Sequence, residues 1–345
     1  ATQKLQPRAA LAMDSLYHTD PTAALEALGH LPHLALEYLG GNHLGWEVVE
    51  KDSPDRLAVL RTDTRRAAAP HAPPRLRILA VAGEHAREAI TTEVALRLAA
   101  AIGANESAAV DWAIMPLVNV GGRRLFWRGD YCRRANERGV DLNRNWPTGG
   151  WGQVWEGHRR GEVFEGPEPL SEPETRLVAA FARRWRPHVF LSLHSGQDAL
   201  LAPHAHTMEL PRNHAEQVAA LHEVNRRARV VQPERVGAAF THTGYACAGT
   251  SLDWFNDALN VSWSFAFEMG TWPARHAARK LASAADWALA MQQLLAPEES
   301  DPQWCRAHFN PTTAPAFEKA VGAWTAAALA LRDVVTEEIT ARQSL

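Results

Sequence analysis

The sequence predicts an α/β protein built on a mixed, mostly parallel central sheet with helices on both faces. Three short apolar runs, at 75–83, 188–195 and 261–270, have the near-continuous hydrophobicity of strands that are buried on both sides. Longer segments with helical periodicity, at 91–103 and 214–231, stand between these runs. Because strands alternate with helices along the chain, we expect a single layered sheet covered by helices.

The N-terminal part is predicted to hold one helix followed by a β-hairpin. Residues 20–40 supply apolar positions at Leu25, Leu28 and 34–39, which favours a helix. The segments "HLGWEVVE" and "RLAVLRT" flank a "KDSPD" turn at 51–55, and this arrangement is typical of a hairpin. A proline-rich loop then leads into the first buried strand.

The middle of the chain contains a long segment without periodicity. A strand is predicted at 111–120, with two glycines to end it. Residues 121–170 are rich in Gly, Arg, Trp and Pro, and a loop region of this length is usually functional or disordered. A helix at 171–185 is then predicted from the capping-box pair Ser171 and Glu174.

The C-terminal part is predicted to be helical. Residues 276–296 have an amphipathic pattern and are expected to close the main body. A polar break follows, and an alanine-rich helix is predicted within 300–345. This last segment is expected either to pack back on the body or to carry an interface.

Composition limits the kinds of partner. The chain has 345 residues and a formal net charge of −3, so no global positive field attracts nucleic acid or an anionic membrane. No apolar run has the length needed to cross a bilayer. The chain has three cysteines, Cys132, Cys247 and Cys305. An odd number this small does not indicate a disulfide framework, but one bridge plus a free thiol is possible.

Chemistry-bearing residues follow the predicted strands. His85 and Glu88 come just after the first buried strand, His194 ends the second, and Glu268 lies near the end of the third. Functional sites of α/β sheets lie in the loops at the carboxyl ends of the strands. We therefore expect these side chains to meet in one site.

His85, Glu88 and His194 have the composition of a hydrolytic zinc site. Catalytic zinc commonly takes three protein ligands, such as two histidines and a glutamate, and leaves one position for water. An H-x-x-E pair alone is frequent by chance, and a strand-end histidine often just bonds a carbonyl, so the combination carries the prediction. Glu268 ends an apolar strand, where burial suits a general base, although a solvent-exposed glutamate is the alternative.

The segment "RGVDLNRNWP" at 138–147 is predicted to be a binding loop. Arg144 beside Asn143 forms a suitable fork for a carboxylate, because a guanidinium donates two parallel charged hydrogen bonds. The alternative is an arginine that pairs with a nearby acidic side chain. Asp141 is a candidate to orient a metal-bound histidine through its second ring nitrogen.

Taken in order, these residues resemble the zinc carboxypeptidases of the pancreatic carboxypeptidase A type. Six short motifs carry the resemblance: H-x-x-E at His85 and Glu88, W-R at Trp127 and Arg128, D-x-N-R-N-W from Asp141, L-H-S from Leu193, Y-x(5)-S-x-D-W from Tyr245, and F-E at Phe267 and Glu268. Each motif is weak alone, but six in register are highly specific. The resemblance covers roughly residues 14–297 and implies a carboxypeptidase-like fold.

The resemblance implies a role for each residue of the metal centre. His85, Glu88 and His194 would hold one Zn²⁺ per chain. Glu268 would take a proton from the zinc-bound water and later pass it to the leaving amine. Arg128 would stabilise the oxyanion that forms at the scissile carbonyl.

The resemblance also implies the substrate contacts. Asn143 and Arg144 would bind the free C-terminal carboxylate, Tyr245 would close over the substrate, and Arg87 would contact upstream residues of the peptide. Leu252 holds the position that helps to set the floor of the side-chain pocket in this family. A leucine there favours an apolar or aromatic C-terminal residue, whereas an acidic residue would select Lys or Arg.

Two of the departures from the family pattern concern the upstream subsite and the C-terminal segment. Gly196 stands where a tyrosine often follows the third ligand, so we expect a more open upstream subsite. The residues past about 300 extend beyond the basic pattern. The predicted organisation is an N-terminal arm at 1–13, a catalytic domain at 14–297 and a C-terminal helical extension at 298–345.

The expected activity is hydrolysis of the C-terminal peptide bond by a zinc-dependent exopeptidase. Its partners would be peptide or protein C-termini, with no nucleic acid or membrane. A zinc amidohydrolase or deacylase of the same fold, acting on N-acyl amino acids or cell-wall peptides, is the alternative. A binding module without catalysis would require a missing ligand or base, and none is missing. The resemblance favours secretion, but the sequence leaves the compartment and the oligomeric state open.

Overall fold

The structure is a computed structural model, and it describes residues 15–42, 45–49, 56–62, 75–105, 109–152, 163–270 and 301–343. The strands found in these ranges are β1 (Ala35–Asn42), β2 (Gly45–Val48), β3 (Leu57–Arg61), β4 (Leu76–Ala82), β5 (Val110–Met115), β6 (Val189–Ser195), β7 (Ala199–Ala202), β8 (Val236–Ala238) and β9 (Trp263–Met269). The α-helices are α1 (Thr22–Gly29), α2 (Ala89–Ala104), α3 (Val120–Trp127), α4 (Pro173–Trp185), α5 (His214–Ala228), α6 (Ala239–Thr243), α7 (Ser251–Asp257), α8 (Pro302–Phe309) and α9 (Ala314–Gln343).

The strands form one mixed sheet in the order β2-β1-β3-β5-β4-β6-β9-β7-β8. Its four central strands, β5, β4, β6 and β9, are parallel to one another. The pairs β1–β2, β1–β3, β3–β5 and β7–β9 are antiparallel. The predicted mixed sheet with a parallel centre is therefore confirmed.

The register of the central strands aligns their carboxyl ends. Ala82, the last residue of β4, pairs with Leu193 of β6, and His194 of β6 pairs with Glu268 of β9. Side chains at paired positions of parallel strands point to the same face of the sheet. The loop after β4, the end of β6 and the end of β9 therefore meet at one edge.

Helices cover both faces of the sheet. One face packs against α2, α5 and α9 in the largest hydrophobic cluster, and the other packs against α4 and α7. Trp324 and Leu331 of α9 are buried in the first cluster, as Phe181 of α4 and Trp254 of α7 are in the second. None of the helices in the part of the chain described by the structure has the length and apolar character needed to cross a bilayer.

The prediction for the N-terminal part is wrong in two respects. The helix predicted over 20–40 ends at Gly29, because Pro32 has no amide hydrogen to continue it, and the apolar run at 34–39 enters β1 instead. The predicted hairpin pairing is also not formed. Strand β1 lies between β2 and β3 and pairs with both of them.

Two local predictions also differ from the structure. Gly121 and Gly122 lie inside α3 rather than ending a strand, because the Asn119 side chain accepts a hydrogen bond from the Gly122 amide and caps the helix. Helix α4 begins after Glu172, and the Ser171 hydroxyl donates to the Glu172 carboxylate instead of capping the helix. The predicted helix at 276–296 and the domain limits at 13/14 and 297/298 lie outside the described residues, so the domain division stays a prediction.

The described part of the C-terminal segment packs against the body. A disulfide joins Cys305 of α8 to Cys132 in the loop after α3, across a sequence separation of 173 residues, and Cys247 is a free buried thiol. Helix α9 contacts α2 and α5 along the sheet face. The C-terminal helices therefore complete the main core.

Candidate active site

The turn between β4 and α2 carries two of the candidate ligands. Gly83 begins this turn with a φ of +68°, and a Cβ there would lie 2.7 Å from the Leu117 side chain, so only glycine fits. The buried guanidinium of Arg123 then donates from Nε to the Ala86 carbonyl at 2.7 Å and from Nη2 to the Glu88 carbonyl at 3.2 Å. These bonds fix the backbone on both sides of Arg87.

Three buried side chains converge at the carboxyl ends of β4 and β6. His85 Nδ1 lies 2.7 Å from Glu88 Oε1, and His194 Nδ1 lies 3.2 Å from both His85 Nδ1 and Glu88 Oε2. One ligand atom from each residue lies within 4.8 Å of the others. The structure thus brings together the three ligands predicted from the sequence.

The cluster fits Zn²⁺ in both donor type and spacing. Zinc binds imidazole nitrogen and carboxylate oxygen at about 2.0–2.2 Å, and a tetrahedral arrangement separates neighbouring donors by about 3.4 Å. His85 Nε2 lies 3.2 Å from Asp141 Oδ1, and the Ser195 amide donates to Glu88 Oε2 at 3.1 Å. Hydrogen bonds of this kind come from groups that do not bind the metal themselves, and they hold the ligand side chains in orientation. A set of three protein ligands leaves a position for water, as catalytic zinc sites do.

Glu268 lies beside the cluster at the end of β9. It faces the same cavity as His85 and His194 and is only partly exposed. Burial raises the pKa of the Glu268 carboxyl group above its usual range, although the neighbouring histidines oppose the shift. A carboxylate with a raised pKa next to a metal site is suited to accept and return a proton.

The structure places Arg128 outside the described cavity, so its predicted role stays a prediction. Arg128 is exposed at the C-terminal end of α3, and it does not line the cavity that contains His85 and His194. Arg134, six positions later, does line it, and its Nε donates to Asp141 Oδ2 at 2.7 Å. Burial alone would raise the pKa of Asp141, but Arg134 and His85 hold that pKa well below its usual range. The Arg134–Asp141 ion pair therefore keeps a cation at the cavity wall.

Asn143 and Arg144 lie in a short 3-10 helix at Leu142–Arg144 and line the same cavity. Arg144 Nη2 donates to the Tyr245 hydroxyl at 3.1 Å. The Asn143 side chain accepts a hydrogen bond from the Ser251 amide at 2.9 Å. Gly249 makes this packing possible, since a Cβ there would lie 2.0 Å from the Arg144 carbonyl oxygen. The side chains of Asn143, Arg144 and Tyr245 therefore all line the same cavity.

One part of the cavity is lined by an apolar cluster, although Gln197, Thr243 and Thr250 also line the cavity. Its described lining contains small and aliphatic side chains, and Leu252 of α7 is one of them. The others of this kind are Leu201, Ala205, Ala239, Cys247 and Ala266. Among the lining residues that the structure describes, Glu268 is the only carboxylate. The apolar cluster itself therefore contributes no acidic side chain to the cavity.

The expectation of an open space at Gly196 is wrong. Phe309, from the C-terminal segment, fills that space, and a Cβ on Gly196 would lie 2.3 Å from the Phe309 ring. The Ser195 hydroxyl donates to the Phe309 carbonyl at 2.8 Å. Arg87 lies over the same ring, 4.2 Å from its centre, and donates to the Cys132 carbonyl at 3.1 Å. Arg87 therefore packs against the C-terminal segment, and it does not line the described cavity.

Asn310 is a positioning residue that sequence reasoning missed. Its side-chain oxygen accepts a hydrogen bond from the Ile90 amide at 3.0 Å, and its nitrogen donates to the Arg87 carbonyl at 2.8 Å. Both contacts flank Glu88, and the Glu88 side chain itself does not cap α2. A separation of 220 residues along the chain left no local signal for this contact.

A donor set of two histidines and one glutamate, held at the strand ends of an α/β sheet, is that of a zinc-dependent hydrolase. A family model described as "Zinc carboxypeptidase" matches residues 53–283, well over half of the sequence. The chain therefore belongs to the zinc carboxypeptidase family.

Individual relatives agree with this assignment. The chain is 30% identical to bovine (Bos taurus) carboxypeptidase B2 over 178 residues, which are 46% of this chain and 41% of the relative. It is 34% identical to human (Homo sapiens) carboxypeptidase A6 over 168 residues, 45% of this chain and 38% of the relative. The chain thus spans less than half the length of the curated relatives it matches.

Solved structures share the fold. Bovine thrombin-activatable fibrinolysis inhibitor, in complex with tick carboxypeptidase inhibitor, matches with a TM-score of 0.67 and 22% identity, over 93% of this chain and 98% of that chain. Carboxypeptidase A from Helicoverpa armigera matches with a TM-score of 0.59 and 22% identity, over 89% and 72% of the two chains. The carboxypeptidase-like fold predicted from the sequence is confirmed.

Proposed function

We propose that the protein is a zinc-dependent exopeptidase that hydrolyses the C-terminal peptide bond of a peptide and prefers an apolar or aromatic C-terminal residue. One observation carries the proposal. The buried His85–Glu88–His194 cluster opens on the same small cavity as Arg144 and the apolar wall around Leu252. A metal centre, an anion-binding group and an apolar pocket are the three parts that such a reaction requires.

His85, Glu88 and His194 would hold the metal. A bound Zn²⁺ supplies Lewis-acid polarisation of the scissile carbonyl and lowers the pKa of a water molecule. The three ligands keep this chemistry away from bulk solvent, because all of them are buried. Asp141 fixes the orientation of His85 from behind, which is the usual role of a carboxylate on a ligating histidine.

Glu268 and Arg134 would act on the reacting groups. The raised pKa of Glu268 suits it to take a proton from the attacking water and to deliver it to the leaving amine nitrogen. Arg134 faces the cavity with a guanidinium held by Asp141. A fixed cation at this point would stabilise the negative charge that develops on the carbonyl oxygen. Water adds across the amide, and the products are a shortened peptide and a free amino acid.

Arg144, with Asn143 and Tyr245, would recognise the free C-terminus. A guanidinium binds a carboxylate by two parallel charged hydrogen bonds, which amides of internal peptide bonds cannot replace. Tyr245 already accepts a hydrogen bond from Arg144, so it would cover the same end of the substrate. This arrangement explains why cleavage would be limited to the terminal residue.

The apolar wall would choose the terminal side chain. Leu252 is buried, and Ala205, Ala239 and Ala266 leave room beside it. Burial of an apolar side chain stabilises binding by about 25 cal/mol per Å² of surface. A lysine or arginine side chain would lose hydration there, and the one carboxylate of the described lining, Glu268, is the proposed general base beside the metal cluster.

The test is a mass-spectrometric screen of peptides that differ only at the C-terminal residue, with and without a metal chelator. We expect release of single Phe, Leu or Tyr residues, and loss of that release with chelator. Peptides with a C-terminal amide serve as the matched control and should resist cleavage. Preference for Lys or Arg would contradict the role of Leu252. Cleavage of N-acyl amino acids in place of peptides would support an amidohydrolase and overturn the proposal.

A further inference from the structure

Glu84 is a buried carboxylate that the proposed chemistry leaves without a role. It directly precedes His85 and is 2% exposed. Its Oε2 accepts hydrogen bonds from the hydroxyls of Ser192, at 2.8 Å, and Ser251, at 3.2 Å. The same oxygen lies 3.3 Å from His194 Nε2. A buried carboxylate is costly unless hydrogen-bond donors surround it, and here every one of these donors comes from the cavity wall around His194.

The two ring nitrogens of His194 face different environments. Nδ1 faces the metal cluster, 3.2 Å from Glu88 Oε2. A histidine that offers Nδ1 to a metal carries its proton on Nε2, and that proton needs an acceptor. Two acceptors are in range: Glu84 Oε2 and, at 2.8 Å, Ser192 Oγ. Asn143 Nδ2 lies 3.3 Å from the same nitrogen, but an amide nitrogen is a donor and cannot accept the proton.

Both routes for the His194 proton end on Glu84. The direct route is His194 Nε2 to Glu84 Oε2. The relayed route passes through Ser192, whose oxygen accepts from His194 while its hydrogen is donated to Glu84 at 2.8 Å. His85 has the corresponding partner in Asp141, 3.2 Å from its Nε2. Each metal-binding histidine therefore has a carboxylate behind it.

We propose that Glu84 is a positioning residue for the metal centre. It accepts the Nε2 proton of His194, directly or through Ser192, and thereby keeps Nδ1 directed at the metal and increases its basicity. The inference rests on the proposed function, because it requires His194 to be a zinc ligand. It adds a second carboxylate–histidine pair to the one that Asp141 forms with His85.

The test measures zinc affinity rather than peptidase activity. Full-length protein is stripped of metal, and its Kd for Zn²⁺ is determined at fixed neutral pH by competition with a chromophoric chelator. We expect Glu84→Gln, which keeps shape but removes charge, to weaken binding about 10-fold, and Glu84→Ala to weaken it up to about 100-fold. Glu172→Gln is the matched control, since Glu172 is equally buried but accepts from Asn136 and Ser171 instead.

A second readout separates positioning from a merely structural role. In the zinc-loaded protein, the Nε2–H proton of His194 should give a resolved NMR signal that shifts or exchanges faster in Glu84→Gln. Unchanged zinc affinity and an unchanged signal, with only lower thermal stability, would overturn the inference. If both variants fail to fold, Glu84→Asp, which keeps the charge at a shorter reach, is measured in the same way. A wild-type protein that binds no zinc would overturn the proposed function itself.

Discussion

Arg134 and Asp141 form an ion pair at the wall of the cavity, with Arg134 Nε donating to Asp141 Oδ2 at 2.7 Å. The other oxygen of Asp141 lies 3.2 Å from His85 Nε2. One carboxylate thus connects the cavity arginine to a metal-binding histidine. Under the proposed function, a change at Arg134 should therefore affect both the substrate and the metal centre, whereas Arg128 is exposed and lies outside the described cavity.

Replacement of the two arginines should give opposite results. We expect Arg134→Lys to lower kcat/KM by about 100-fold or more, because loss of one preorganised donor to a developing oxyanion has an effect of about 10²–10³. Arg128→Ala should retain wild-type activity within about 2-fold, since surface substitutions have small effects. Steady-state kinetics on one apolar-ended peptide checks both. An inactive Arg128→Ala together with an active Arg134→Lys would restore the assignment made from the sequence.

Glu268→Gln should remove turnover while leaving the metal bound. The variant keeps the shape of the side chain but cannot accept a proton, and general-base catalysis contributes about 10²–10⁴-fold. Because Glu268 is outside the His85–Glu88–His194 cluster, zinc content should stay near one ion per chain. Single-turnover kinetics and elemental analysis of the same sample measure the two quantities. Loss of zinc together with activity would show that Glu268 serves the metal instead.

Arg144→Ala should destroy the requirement for a free C-terminus. The guanidinium is buried, and charged hydrogen bonds contribute about 1.5–3 kcal/mol each. We therefore expect kcat/KM for a free peptide to fall by about 100-fold or more. The value for the same peptide with a C-terminal amide should change much less. A parallel fall for both substrates would indicate that Arg144 only supports the fold.

The strand-end residues were the predictable part of the site. His85, Glu88, His194 and Glu268 each follow a strongly apolar run, and the parallel register of the central strands brings such positions to one edge. Arg134 is not predictable in this way, because the sequence of 121–170 has no periodicity to distinguish one arginine from another. Only the ion pair with Asp141 identifies it, and that contact is tertiary.

Other features depended on contacts that sequence patterns do not encode. The apolar run at 34–39 suited a helix as well as a strand, and pairing with both β2 and β3 decided the outcome. Phe309 fills the space at Gly196, although more than a hundred residues separate the two along the chain. The partner of Cys132 was likewise open until the fold placed Cys305 beside it.

Stability should fall in mildly alkaline solution because of His204. Burial alone would lower its pKa, but hydrogen bonds to the Asp257 carboxylate and the Glu209 carbonyl raise the pKa of His204 to about 9, from 6.5. A raised folded-state pKa gives stability that is complete below about pH 6.5 and is lost as the pH rises through about 9. Since Asp257 is 40% exposed, solvent screening limits the effect to about 1 kcal/mol.

Urea unfolding across that pH range, in wild type and in His204→Gln, measures this contribution. The wild-type free energy of unfolding should decline through the window, and the variant should lack that part of the decline. Asp257→Asn, which removes the negative charge but leaves the imidazole, should behave like the His204 variant. Identical pH profiles for all three proteins would contradict the prediction.

Loss of the Cys132–Cys305 bond should destabilise the protein. The bond closes a long loop, across 173 residues of sequence, and removal of such a constraint typically costs about 2–4 kcal/mol through the unfolded state. Cys305→Ser should therefore unfold at lower denaturant concentration than wild type. A reducing agent should bring wild type down to the same level and leave Cys305→Ser unchanged. Cys247→Ser should keep the sensitivity to reductant, because Cys247 is free.

The match to the family model ends at residue 283. Beyond it, the Phe309 ring packs at Gly196, and the Asn310 side chain bonds the backbone on both sides of Glu88. A fragment cut where the family model stops would keep every residue to which we assign chemistry. It would lose the ring beside Gly196 and the amide that anchors the start of α2. Expression boundaries, and any comparison of this chain with its relatives, should therefore extend to the end of α9.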